Sequence, residues 1–75
     1  MMSYKPNVLP ERLKKARQSA NLTQSELANL AGINRVSVYA YEKGRQTPGA
    51  VALAGIAVAL NVTVDWLLGK DYTVE

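Results

Sequence analysis

Two residue types are missing outright from this chain, cysteine and histidine. Without cysteine, no disulfide and no thiolate metal site can staple the fold. Without histidine, the chain lacks the commonest general base, the commonest metal ligand and any Ser-His or Cys-His pair. No paired carboxylates and no phosphate-cradling glycine loop stand in for them, so the reading is a protein that is not an enzyme and uses no metal or cofactor. Long apolar runs are lacking too. The longest, Ala50 to Leu60, is too short for a bilayer and is interrupted by Gly55. Lys5 is followed by no apolar stretch, so the start is not a signal peptide. The expectation is a cytoplasmic protein with no membrane partner. At 75 residues the chain holds one small domain. It has no room for a separate sensor, and no small-molecule effector is expected.

What is present is unevenly charged. Up to Arg45 there are 8 cations (Lys5, Arg12, Lys14, Lys15, Arg17, Arg35, Lys43, Arg45) against the 3 acids Glu11, Glu26 and Glu42. From Gln46 onward only Lys70 opposes Asp65, Asp71 and Glu75. The first part is basic, the second weakly acidic, and the whole carries +3. Such a split suits either two solvated helix faces or an anionic partner on the basic side.

The punctuation predicts five short helices and no strand. Residues 1–7 read as a flexible arm, 8–69 as the folded domain and 70–75 as a short tail. The first helix begins near Val8 to Pro10 and lines up Leu9, Leu13, Ala16 and Ala20 before Asn21 stops it. Thr23-Gln24-Ser25-Glu26 is a capping box that opens the second helix, and Gly32 breaks that helix. Asn34 caps a third helix ending at Gly44. Thr47-Pro48 reads as the cap and first residue of a fourth helix, which Asn61 terminates. Thr63 caps a fifth that Gly69 closes. The short connections force neighbouring helices to pack together. The expected core is Leu13, Leu22, Leu27, Ala28, Ile33, Val38, Leu53, Ile56, Leu60, Val64 and Leu67.

Gln24 to Lys43 (QSELANLAGINRVSVYAYEK) reads as two helices joined by a tight turn, with Leu27, Ile33, Val38 and Tyr41 pointing inward. That is the helix-turn-helix pattern, whose second helix enters the DNA major groove. Further marks follow in order: Leu22-Thr23-Gln24, Glu26-Leu27-Ala28, Ala31-Gly32-Ile33, Tyr41-Glu42-Lys43-Gly44-Arg45, Pro48, Ala59-Leu60-Asn61-Val62 and Val64-Asp65-Trp66-Leu67-Leu68-Gly69. Together, over Leu9 to Gly69, they resemble the Cro and phage-repressor class of helix-turn-helix regulators, also called Xre-type. The closing VDWLLG looks like the end of a lambdoid repressor DNA-binding domain. The resemblance implies an all-α, five-helix, lambda-repressor-like domain that binds double-stranded DNA.

It also implies roles for particular residues. Arg35 and Val36 occupy positions from which family members read bases. Arginine can bond guanine bidentately and valine can pack on a thymine methyl; the plain alternative for Arg35 is a phosphate contact. Tyr39 and Ala40 fall on the same base-reading stretch but depart from the serine, lysine or glutamine that relatives place there. Tyr39 can stack on sugar, bond a phosphate or pack on the domain; Ala40 offers only a small apolar contact. Thr23, Gln24, Asn34, Ser37, Lys43, Arg45 and Gln46 are expected at phosphates, with ordinary surface charge as the plain alternative for the last three. Arg17 and Glu42 correspond to an internal ion pair between the first and third helices.

The fourth helix departs from relatives, which carry charge on its outer face. From Pro48 to Leu60 there is none. Val51, Gly55 and Val58 share a face, and a mid-helix glycine costs about 1 kcal/mol relative to alanine. Close approach of another helix would offset that. Val51, Gly55, Val58 and Trp66 are therefore the expected dimerisation surface. The function expected is a sequence-specific transcriptional regulator, a repressor by resemblance, bound as a homodimer to a palindromic operator. The alternative is a protein-interaction module on the same scaffold, of antitoxin or anti-repressor type.

Overall fold

The computed structural model describes residues 2–4 and 8–72. Five helices form its body: α1 (Leu9–Ser19), α2 (Gln24–Ala31), α3 (Arg35–Glu42), α4 (Ala50–Leu60) and α5 (Val64–Leu67). The all-α reading holds for this body, and most helix boundaries follow local chemistry. Pro10 sits in the first turn of α1, where its missing N–H is no loss. The Thr23 hydroxyl accepts from the Glu26 amide at 3.0 Å, and the Glu26 carboxylate accepts from the Thr23 amide at 2.8 Å. Gly32 ends α2 at φ +73°, a backbone conformation that glycine adopts without steric penalty. The Asn34 side chain accepts from the Ser37 amide at 2.8 Å, and the Thr63 hydroxyl from the Trp66 amide at 3.0 Å.

The start of α4 differs from expectation. Gly49 rather than Thr47 is its N-cap, and no side chain caps it. Pro48 is buried in the preceding extended segment instead of occupying the first helical position. Packing of the proline ring has overridden its preference for a helix start.

The expectation of no strand is also revised. Met2–Tyr4 (β1) and Lys70–Tyr72 (β2) pair antiparallel, with Met2 opposite Tyr72, Ser3 opposite Asp71 and Tyr4 opposite Lys70. Three residues carry too little alternation for a strand to be read from sequence. The remaining arm and tail positions, 1, 5–7 and 73–75, lie outside the described residues.

Leu9, Leu13, Leu27, Ala28, Val38, Tyr41, Leu53, Ile56, Ala57, Leu60 and Leu67 make a single core. Leu22, Ile33 and Val64, expected inside, pack at its rim. Each lies in a connection or in the first residue of a helix, where one side of the side chain still meets solvent. α2 and α4 meet closely: a Cβ placed on Gly55 would stand 2.5 Å from the Ala31 carbonyl oxygen. The close approach that the mid-helix glycine implied is therefore made by the chain's own α2.

Candidate nucleic-acid interface

The turn between α2 and α3 is closed by its own backbone, with the Ile33 amide donating to the Ala28 carbonyl at 2.9 Å. Together with the Asn34 cap it fixes the angle at which α3 leaves the body. Val38 and Tyr41 enter the core from α3. Arg35, Val36 and Tyr39 are exposed, and Ser37 and Ala40 half-buried. Val36 leaves 65% of its surface open to solvent, and Leu30 on α2, Val51 and Val58 are exposed as well.

The far end of α3 is tied down from beneath. Arg17 of α1 donates from Nε to Glu42 Oε2 at 2.6 Å and from Nη2 to Oε1 at 3.0 Å. Its Nη1 donates to the Leu22 carbonyl at 2.8 Å. Gln24 Nε2 adds a third donor to Glu42, at 3.2 Å from Oε1. The two charged side chains are only 12% and 4% exposed, so this is an internal brace between α1, the start of α2 and α3. The Glu42 hydrogen bond, helped by its charge, outweighs the opposing effect of burial and raises the Arg17 pKa above its ordinary value. Arg17 is thus cationic at any pH a cell reaches. Among the described residues, no buried side-chain nitrogen or oxygen lacks a partner.

Beyond α3 the chain reverses at Gly44, at φ +71°. The Arg45 and Gln46 amides both donate back to the Ala40 carbonyl, at 2.9 and 3.4 Å. This fold-back returns Arg45 to the tyrosine on the outer face of α3. Its guanidinium carbon lies 5.8 Å from the Tyr39 ring centroid, and Lys43 Nζ lies 5.7 Å from the same point. Lys43, Arg45 and Gln46 are all exposed.

Of the residues singled out from sequence, Arg35, Val36, Tyr39 and Ala40 thus share α3 with Ser37, and Asn34 caps that helix. Lys43, Arg45 and Gln46 follow directly. Thr23 and Gln24 stand at the start of α2, where the Thr23 hydroxyl serves its cap and the Gln24 amide serves Glu42. The sequence reading missed the Tyr39 cluster, although the Tyr39–Lys43 spacing of four was a visible clue.

The expected dimerisation residues separate. Val51 and Val58 are 88% and 82% exposed. Gly55 does not belong with them, because it is half-buried against Ala31. Trp66 is half-buried and engaged within the chain: Arg12 Nη1 donates to its carbonyl at 2.6 Å and the guanidinium lies 5.1 Å from its ring centroid. That lock between α1 and α5 carried no signal in sequence. Among the described residues no cluster of acidic side chains could hold a metal ion, and no helix is long and apolar enough to cross a membrane.

Known proteins share this arrangement. A helix-turn-helix family model matches residues 13–67. The HTH-type transcriptional regulator ImmR of Bacillus subtilis is 40% identical over 63 residues, which make up 84% of this chain and 50% of that protein. The chain spans about half the length of the curated relatives it matches. The P22 c2 repressor, solved in complex with a synthetic operator, superimposes with a TM-score of 0.82 at 25% identity, covering 87% of this chain and 98% of that one. SinR, a master regulator for biofilm formation solved in complex with DNA, gives 0.77 at 30% identity, covering 80% and 97%. The capped α2–turn–α3 unit, its internal brace and the family match over 13–67 agree: this chain belongs to the Xre-type helix-turn-helix family.

Proposed function

We propose that this chain is the DNA-binding unit of a cytoplasmic, sequence-specific transcriptional regulator, a repressor, acting on double-stranded DNA. The observation that carries the reading is the outer face of α3. There Arg35 and an exposed Val36 sit on the first turn, and Lys43 and Arg45 follow just beyond the far end. Placed in a major groove, Arg35 would pair with guanine and Val36 would pack on a thymine methyl, with Tyr39 and Ala40 further along the same helix. Thr23, Gln24, Asn34, Ser37, Lys43, Arg45 and Gln46 would meet phosphates on either side. The names of the relatives and the DNA complexes among the structural neighbours support the same reading.

One such unit contacts too few bases for a specific site. Two copies would bind a two-fold symmetric operator, with half-sites about one helical turn apart. Val51 and Val58 supply the surface for self-association. The test is selection of bound duplexes from a randomised pool at about 150 mM salt, with Arg35→Ala as control. Enrichment of a palindrome that the control relaxes supports the reading; no enrichment sinks it. A second reading, an interaction module of antitoxin or anti-repressor type, is favoured by the same two exposed valines. It predicts weak, salt-sensitive DNA binding without sequence preference.

A further inference from the structure

Tyr39 occupies a position of the α3 outer face from which a side chain could read a base, yet its ring is already in use. Lys43 Nζ and the Arg45 guanidinium carbon lie 5.7 and 5.8 Å from its centroid. Two cations drawn to one small region repel each other, and the electron-rich ring face offsets that repulsion. The fold-back at Gly44 is built to produce this meeting, since it returns Arg45 past the end of α3 onto the ring. Among the described residues neither cation pairs with a carboxylate. The cluster therefore gathers two cations without a carboxylate.

From this geometry we infer that Tyr39 is a positioning residue: its ring holds Lys43 and Arg45 as a preformed clamp for one backbone phosphate, rather than reading a base. The inference rests on the DNA-binding reading above. Long cationic side chains lose rotamer freedom when they grip a phosphate, and a ring that has already restricted them removes part of that loss from binding. The phenol hydroxyl has no necessary part in this; the ring face does the holding. The clamp also accounts for a tyrosine where the resemblance leads one to expect serine, lysine or glutamine.

The experiment compares wild type, Tyr39→Phe and Tyr39→Leu in two measurements. The first is affinity for a selected operator and for an unrelated duplex across a salt series. Tyr39→Leu should weaken both about 3- to 10-fold and make the salt dependence shallower by about one counterion. Tyr39→Phe, which keeps the ring face, should stay within about 2-fold of wild type. The second needs no DNA: the Lys43 ε-methylene and Arg45 δ-methylene proton resonances should lie upfield in wild type and Tyr39→Phe, and move downfield in Tyr39→Leu. Loss in Tyr39→Phe equal to that in Tyr39→Leu would place the role on the hydroxyl and overturn the clamp. So would a Tyr39→Leu protein whose preference relaxes at one operator base with an unchanged salt slope, or wild-type methylene shifts that match Tyr39→Leu. Wild-type protein that binds no duplex at low salt overturns the DNA reading itself. That failure is distinct, because failure of the clamp alone leaves wild-type binding intact.

Discussion

The outer faces of α3 and α4 both expose valine to water, Val36 on the first and Val51 and Val58 on the second. Their surroundings differ completely. Val36 sits beside Arg35, on a helix that ends at Glu42, is followed by Lys43 and Arg45, and is braced from below by a part-buried ion pair. The α4 valines sit on a helix without a single polar side chain, seated on α2 through a glycine. An apolar side chain among cations suits a surface that is polyanionic and carries methyl groups, such as a DNA groove. An apolar stripe without charge suits another apolar stripe. Exposure alone does not distinguish the two faces; the neighbouring charge does.

The comparison can be broken most forcefully from beneath α3. Arg17→Ala leaves the part-buried Glu42 carboxylate with only the Gln24 amide as partner, and should cost about 1.5–3 kcal/mol of stability in urea unfolding. The sign of the pH dependence follows from the raised Arg17 pKa. Its contribution is complete below the unfolded value and is lost only as pH rises through the still higher folded one. The difference between wild type and Arg17→Ala should therefore stay constant between about pH 7 and 10. A small or strongly alkaline-sensitive difference would mean that the brace is not what sets α3.

Next in size is Gly55→Ala. Helix propensity alone predicts a gain of about 1 kcal/mol. The Ala31 carbonyl in its way predicts a net loss of about 1–3 kcal/mol instead, as α2 and α4 are forced apart. A stabilised variant would show that the two helices separate freely. Arg35→Ala should leave folding untouched and remove about 1–3 kcal/mol of discrimination at one base pair, read as relaxed preference in duplex selection. Uniform weakening across sequences would make Arg35 a phosphate contact. Val58→Lys should also change stability little, within about 0.5 kcal/mol. Sedimentation at tens of micromolar should show self-association lost; association unchanged would remove α4 from the interface.

Where local chemistry decides, the sequence was legible. Thr23, Asn34 and Thr63 each bond an amide three residues on, and Gly32 takes the left-handed turn, because these effects involve only near neighbours. Where distant parts decide, the reading fell short. Pro48 favours a helix start in isolation but is drawn inward by packing. The β1–β2 pairing joins opposite ends of the sequence through backbone groups that every residue possesses. Gly55 announced a close approach without naming its partner, and the partner proved to be α2. At the candidate interface, the positions on α3 could be read from spacing and resemblance. The way Tyr39 gathers two cations depended on a loop reversal visible only in three dimensions.

The Gly55–Ala31 contact has a mechanical consequence. Backbone rests almost directly on side-chain-free backbone, with no layer of rotamers between to absorb displacement. With the Arg17–Glu42 brace on the other side, the α2–turn–α3 unit is bolted to the scaffold at two points. A reading head mounted this stiffly does not adjust itself to an imperfect groove. In the function proposed here the compliant party is the duplex, and sequences whose grooves deform easily to the fixed spacing of two heads should be preferred, even at base pairs no side chain touches.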